Sequence, residues 1–272
     1  ADVCGISQPA ISVQIKELET ALGAPLFERA ARQVRLTAFG EVFAARVKPV
    51  LRAVDDLGDL ARAAQDQMAG KLRIGIIPTI APYLLPNIIR QLTNKFPGID
   101  VHVRETVTPK LTQELADGLL DAAILALPVS EPSFDEVTLF DEKLLLVRPA
   151  SDAALPVPSS DNLRNMRLLL LEEGHCFRDQ VIKVCSLENR NQVLENVNFL
   201  SGGLETLIQL VRGGSGHTLL PYLATLSLHK REQNNYLRPF HAPAPFREVS
   251  LVSSRSFYKE DIVQALEQEI IE

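Results

Sequence analysis

Ile6-Ser7-Gln8-Pro9-Ala10-Ile11-Ser12-Val13-Gln14-Ile15-Lys16-Glu17-Leu18-Glu19, followed shortly by Leu22-Gly23, reads as one helix with both ends marked. Ser7 is the N-cap candidate, and Pro9 falls near the first turn, where a missing N–H does no harm. Ile11, Ile15, Leu18 and Leu22 recur at spacings of three and four, the period of one helical face. Gly23 stands where a helix-ending glycine belongs. Leu26-Phe27-Glu28-Arg29 and Val34-Arg35-Leu36-Thr37 then bracket a basic tip with Arg29, Arg32 and Arg35, which suits a short hairpin or wing. Thr37 caps a long helical stretch running to about Met68. Its apolar positions Phe39, Phe43, Val47, Val50, Val54, Leu57, Leu60 and Ala64 approximate the heptad seam of a dimerising helix, although an amphipathic helix packed on its own domain carries the same pattern. Pro49 interrupts the stretch and should kink it.

From Lys71 the texture changes to short apolar runs alternating with amphipathic segments. Strands are expected at 72–77, 101–105, 122–127, 144–148, 168–171, 217–220 and 249–252, and helices at 80–95, 110–120, 177–185, 204–211 and 258–271. Continuous apolar strands alternating with helices predict mainly parallel α/β sheets, here in two subdomains. Ligands of such sheets bind in the crevice beyond the carboxyl ends of the strands. The sequence starts at Ala1 without methionine, inside what reads as an element, which predicts a missing N-terminal segment.

Apolar residues at 46% and charged residues at 23% are ordinary globular values. The net charge of −6 argues against nucleic-acid binding by the molecule as a whole, but the charge is uneven. Residues 1–52 carry seven Lys/Arg against five Asp/Glu, a net of +2 that leaves −8 for the remainder. A small basic head on an acidic body is compatible with DNA contact by the head alone. No apolar run reaches the ~18 residues of a membrane span and no signal peptide is evident, so a cytoplasmic location without membrane attachment is expected.

Only three cysteines occur. Two of them stand nine residues apart, in His175-Cys176-Phe177-Arg178-Asp179-Gln180 and at Cys185. The histidine before Cys176 and the arginine two positions after it favour the thiolate, the form that reacts with oxidants. If the segment is helical, nine residues rise ~13 Å, whereas a disulfide needs Cα atoms within ~7 Å. Bond formation would therefore have to melt the segment. The bland alternative, two small buried hydrophobes, describes most free cysteines. Cys4 reads as a packed free thiol. No C-x-x-C pattern, no Cys/His cluster at metal-ligand spacing and no Gly-rich phosphate loop appears, so neither a metal nor a cofactor is expected.

The N-terminal helix with its wing resembles the winged helix-turn-helix of LysR-type transcriptional regulators, and the long helix and two-part α/β body fit the same family. Gly174-His175-Cys176-Phe177-Arg178-Asp179-Gln180 with Cys185 is similar to the signature of that family's peroxide-sensing members, as are Ile77-Pro78-Thr79 and Ser215-Gly216-His217-Thr218-Leu219-Leu220-Pro221. The resemblance implies an α/β fold with a winged helix-turn-helix head over 1–36, its first helix missing. A linker helix would follow over 37–69, then a periplasmic-binding-protein-like (type II) regulatory domain over 70–272. Its subdomain I would span about 70–147 plus 248–272, and its subdomain II about 148–247.

It further implies that Cys176 is oxidised by hydrogen peroxide to sulfenic acid and that Cys185 resolves it to a disulfide. Thr79, Thr108, His175, Asp179 and Arg247 would form the peroxide pocket. The chemistry needs such residues, because thiolate attack displaces hydroxide, a poor leaving group that donors must stabilise or protonate. Each has a plainer reading: Thr79 as an N-cap, His175 as a solvent-facing residue, Arg247 as an exposed strand charge. In the head, Ser7, Gln8, Pro9, Ser12 and Gln14 would lie near bases or backbone in the major groove. Lys16, Arg29, Arg32 and Arg35 would contact phosphates, which position without specifying.

The partners implied are a double-stranded DNA operator, RNA polymerase, a thiol reductant such as glutaredoxin or thioredoxin, and three further copies in a homotetramer. The function so implied is a redox-controlled regulator of antioxidant genes without enzymatic turnover. Two competitors remain: a family member sensing a small metabolite, separable by dithiothreitol sensitivity of DNA binding, and a thiol peroxidase, separable by steady peroxide consumption.

Overall fold

The structure, a computed structural model, describes residues 7–28, 34–63, 69–126, 133–152, 154–157, 159, 163, 166–185, 202–254 and 260–271. Arg29, Arg32 and Cys4 lie outside these. Two compact units divide the chain, Ala1–Leu60 and Ala61–Glu272.

In the first unit, helix α1 spans Gln8–Leu22, with Ser7 at the N-cap position and Gly23 ending it in the left-handed conformation at φ 68°. The Ser7 side chain makes no capping bond, so Pro9 in the first turn, and not a hydroxyl, marks this start. Ile11 and Ile15 are half-buried. The base of the expected wing is paired, its tip lying outside the described residues: Phe27 bridges Leu36 antiparallel, and the Glu28 N–H donates to the Arg35 carbonyl at 3.0 Å. Arg35, Ser7, Gln8, Pro9, Ser12, Gln14 and Lys16 are all exposed. Glu19 ties the helix to the wing by accepting the N–H groups of Leu26 at 2.6 Å and Phe27 at 3.1 Å.

Thr37 caps α2 (Ala38–Ala63), its Oγ1 accepting the Gly40 N–H at 2.9 Å. A side chain at Gly40 would overlap the Leu26 carbonyl, so glycine is required for this close approach. The helix runs on through Pro49 rather than stopping there. Phe39 and Phe43 stack with ring centroids 6.0 Å apart. Val50, Leu51, Val54 and Leu57 are exposed along this helix.

The second unit opens with three parallel strands, β1 (Ala69–Ile76) between β2 (Gly98–Glu105) and β3 (Ala122–Ala126). Helices α3 (Ala81–Lys95) and α4 (Thr108–Ala116) connect them. The remaining strands of the described residues pair antiparallel, contrary to the expectation of mainly parallel sheets. The late strand β7 (Phe246–Ser254) returns to close this sheet antiparallel to β3, and β4 (Phe134–Val147) pairs antiparallel with β7. β4 is far longer than the five residues the apolar run suggested. Its first ten residues are mostly exposed and polar, and a register shift between Thr138 and Phe140 breaks their period, so no apolar run marked the strand.

The last four residues of β4 enter a second sheet, pairing antiparallel with β5 (Thr218–Pro221), and its end also pairs with β6 (Leu237–Pro239). Residues 168–171 are not a strand among the described residues; Leu168 bridges His217 in parallel. Around this sheet lie α5 (Cys176–Val184), α6 (Leu204–Arg212), α7 (Tyr222–Leu226) and α8 (Lys230–Tyr236), and α9 (Glu260–Ile271) closes the chain.

Two separate apolar cores result. One gathers Leu72, Ile74, Ile76, Ile124 and Leu251 under the first sheet. The other gathers Leu146, Phe177, Val181, Cys185, Leu207 and Leu219 under the second. These are the two α/β subdomains, joined by β4 and β7. Among the described residues no helix is long and apolar enough to cross a membrane.

Candidate functional site around Cys176

Thr79 sits in the turn after β1 and Thr108 at the start of α4 just beyond β2, so both occupy the carboxyl ends of neighbouring parallel strands. That end of such a sheet is where crevices form, because each strand hands over to a helix there. From the second subdomain, Gly174 with φ 95° turns the chain so that His175 becomes the N-cap of α5 and Cys176 its first residue. Ile77, Pro78, Thr79, Val107, Thr108, His175, Cys176 and Phe177 together line a narrow crevice.

The polar members are held in particular ways. Thr79 is buried and is not a helix cap: the N-cap of α3 is Ile80, and the Thr79 Oγ1 instead accepts the Arg247 Nη1–H at 2.8 Å. Arg247 is 2% exposed, not a surface strand charge. Its Nε and Nη2 both reach the Glu142 carboxylate at 2.7 Å, and its guanidinium lies 5.3 Å from the centroid of the Phe177 ring. The Thr108 Oγ1 is buried with no hydrogen-bond partner among the described residues. A buried hydroxyl left in that state costs about 1–3 kcal/mol, which a polar molecule in the crevice would recover.

His175 is buried, not solvent-facing, and its Nε2 lies 3.8 Å from the Glu172 carboxylate. Asp179 departs from the expected pocket. It is exposed on the first turn of α5 and is not among the residues lining the crevice, so its charge acts on the helix end.

The two cysteines differ sharply. Cys176 is half-buried, lines the crevice and packs against the first core. The first-turn N–H groups of α5 point toward that end of the helix and favour negative charge there. Cys185 follows the other end of α5, is fully buried in the second core, and burial pushes its thiol up to about 12. Both are free thiols.

A pH consequence follows from Cys185. Its folded-state value lies above its unfolded one, so folding binds the extra proton, and that stability is complete below about pH 8.5. It should be lost progressively as pH rises toward about 12. Urea midpoints of the reduced protein should therefore fall on the alkaline side, and Cys185→Ala should flatten that fall. An unchanged slope in the variant would remove the explanation.

Glu142 was absent from the sequence expectations, because it stands before the apolar run that marked its strand. The polar Asp141-Glu142-Lys143 gives no sign that its middle residue is buried.

Comparison with known proteins agrees with this architecture. Residues 65–272 match the LysR substrate binding domain, and residues 1–41 match the bacterial regulatory helix-turn-helix protein family of lysR type. The DNA-binding transcriptional dual regulator OxyR of Escherichia coli K12 is 41% identical over 93% of this chain and 82% of its own length. Among solved structures, a full-length cysteine-to-aspartate OxyR variant from Pseudomonas aeruginosa superposes with a TM-score of 0.77 at 37% identity, covering all of this chain and 90% of that one. A hydrogen peroxide-bound cysteine-to-serine OxyR variant from Corynebacterium glutamicum gives 0.70 at 31% identity, covering all of this chain and 85% of that one. A helix-turn-helix head, a two-subdomain body and relatives matched along nearly its whole length place the chain in the LysR family of transcriptional regulators, in its OxyR group.

Proposed function

We propose that this chain is a DNA-binding transcription regulator that senses hydrogen peroxide through Cys176. The observation that carries the reading is the crevice, where the Cys176 sulfur, a buried Thr108 hydroxyl without a hydrogen-bond partner among the described residues and the Arg247-anchored Thr79 come together. Relatives named as peroxide-inducible gene activators support the same reading.

The Cys176 thiolate attacks one peroxide oxygen. An S–O bond forms, the O–O bond breaks, and the departing hydroxide takes a proton and leaves as water. Sulfur loses the two electrons that peroxide gains. Thr79, Thr108 and His175 are placed to donate to the departing oxygen, while Arg247 balances charge through Thr79. The sulfenic acid then condenses with the Cys185 thiol, forming the S–S bond and releasing a second water. A thiol reductant such as glutaredoxin or thioredoxin restores the reduced state.

Intact-mass analysis tests this directly. One equivalent of peroxide should take the reduced chain to a species two mass units lighter, confined to Cys176 and Cys185. Steady consumption of many equivalents with a thiol reductant would instead mark a peroxidase.

Operator contact is assigned to the start of α1, where Ser7 at the N-cap and Gln8, Pro9, Ser12 and Gln14 are exposed, with Lys16 and Arg35 at phosphates. The exposed apolar side chains along α2 support pairing of two such helices, and the α/β bodies would join pairs into a tetramer that contacts RNA polymerase. Light scattering that finds a monomer for the reduced chain would overturn this assembly.

A further inference from the structure

We infer that Glu142 is a positioning residue for the chemistry at Cys176, acting through Arg247. This rests on the peroxide-sensing reading above and adds to it a residue that does not line the crevice. Glu142 and Arg247 are direct ladder partners on β4 and β7, at the point where these strands pass from one subdomain to the other. Both side chains are sealed from water, at 1% and 0% exposure.

The geometry is over-determined. Glu142 Oε2 takes the Nε and Nη2 side of the guanidinium, and Oε1 accepts the Leu223 N–H in the first turn of α7 at 2.7 Å. With both oxygens engaged, the carboxylate cannot turn. It holds the planar guanidinium by one edge, which aims the remaining Nη1 at the Thr79 Oγ1 and Nη2 at the Thr79 carbonyl, 3.3 Å away. Because Thr79 Oγ1 accepts from Arg247, the hydroxyl hydrogen is left to donate, and Thr79 lines the crevice. Glu142 thereby sets, through two hydrogen bonds, the donor direction of Thr79, which faces the crevice.

A brace between two strands would use the same pair, so the test must separate positioning from bracing. In a Cys185→Ser background, the rates of Cys176 with hydrogen peroxide and with iodoacetamide are measured side by side. Both reagents need an accessible thiolate, but only peroxide needs a donor at the departing oxygen. Glu142→Gln should slow the peroxide reaction by about ten- to a hundredfold and leave alkylation unchanged. Glu142→Asp keeps the charge, hence the fold, and moves the carboxylate back by one methylene; it should show the same selective loss, in smaller measure. Because Glu142 acts only through Arg247, the double variant E142Q/R247Q should react with peroxide no more slowly than R247Q.

A Glu142→Asp protein with wild-type peroxide reactivity overturns the inference. So does a loss shared equally by alkylation, or a double variant slower than R247Q. If the unmutated chain reacts with peroxide no faster than free cysteine, the sensing function itself falls and this inference with it; a fast parent with equally fast Glu142 variants sinks the inference alone.

Discussion

Cys176→Ser is expected to abolish the peroxide response completely. Cys176 is the sulfur that lines the crevice, at a helix end whose N–H groups favour negative charge, beside the hydroxyls of Thr79 and Thr108. Cys185 cannot substitute. It is fully buried with its thiol pushed up to about 12, so in the folded protein it is almost wholly protonated at neutral pH and out of reach of an oxidant. Removing one donor from such a site costs about 10²–10³ in rate; removing the sulfur removes the reaction. The reciprocal variant Cys185→Ser should stop one step later and accumulate a sulfenic acid on Cys176 that dimedone traps. Dimedone on Cys185 with Cys176 unlabelled would reverse the roles assigned here.

The second large effect is the opening of α5 on oxidation. Cys176 begins the helix and Cys185 follows its last residue. Their Cα atoms are thus ~13 Å apart along the helix axis by the rise per residue, against a limit of ~7 Å for a disulfide. The bond cannot form until the helix unwinds. Unwinding lifts Phe177, Val181 and Cys185 out of the second core, and each fully exposed apolar side chain costs ~1.5–3 kcal/mol. Those side chains must be reburied elsewhere, which we assign to a reshaped contact between the α/β bodies of two copies. Phe177 also leaves the face of the Arg247 guanidinium, so the Glu142–Arg247 pair and the α7 N–H it holds lose a neighbour at the same moment. Amide exchange should rise across 176–185 when the disulfide forms, with altered protection at the body–body contact. A disulfide-bonded form in which 176–185 exchanges as slowly as in the reduced form would exclude the mechanism. On the proposed mechanism, burial that pushes the Cys185 thiol up to about 12 orders the step: Cys185 becomes a competent nucleophile once the helix has exposed it.

How legible was this in the sequence? Short-range signals carried the elements. Gly23, Thr37, the 3–4 spacing of Ile11, Ile15, Leu18 and Leu22, and the apolar runs of β1 and β3 depend on neighbours a few residues away, and those neighbours are fixed by the chain itself. The Cys176–Cys185 spacing was equally readable, since the rise of a helix is a local property. The hidden parts were long-range. β4 was underestimated because its first ten residues are mostly exposed and polar, and their pairing with β7, over a hundred residues later, leaves no periodic trace. The same pairing turned a sheet that reads as parallel into a mixed one.

At the site, residue types were legible and environments were not. Thr79 looked equally able to cap a helix; only the arrival of Arg247 from 168 residues away decided that its oxygen accepts a guanidinium N–H. Asp179 belonged to the cysteine motif by sequence, yet the turn of α5 carries it to the exposed side while His175 and Phe177 turn inward. Glu142 had no signal at all, because a buried carboxylate and a solvated one are written with the same letter. The sequence by itself determined the periodicities, the caps and the order of the chemical groups, since these rest on steric and hydrogen-bonding preferences between near neighbours. Tertiary structure alone decided which groups lose water and which charges meet, because desolvation and Coulomb energies depend on distance in space.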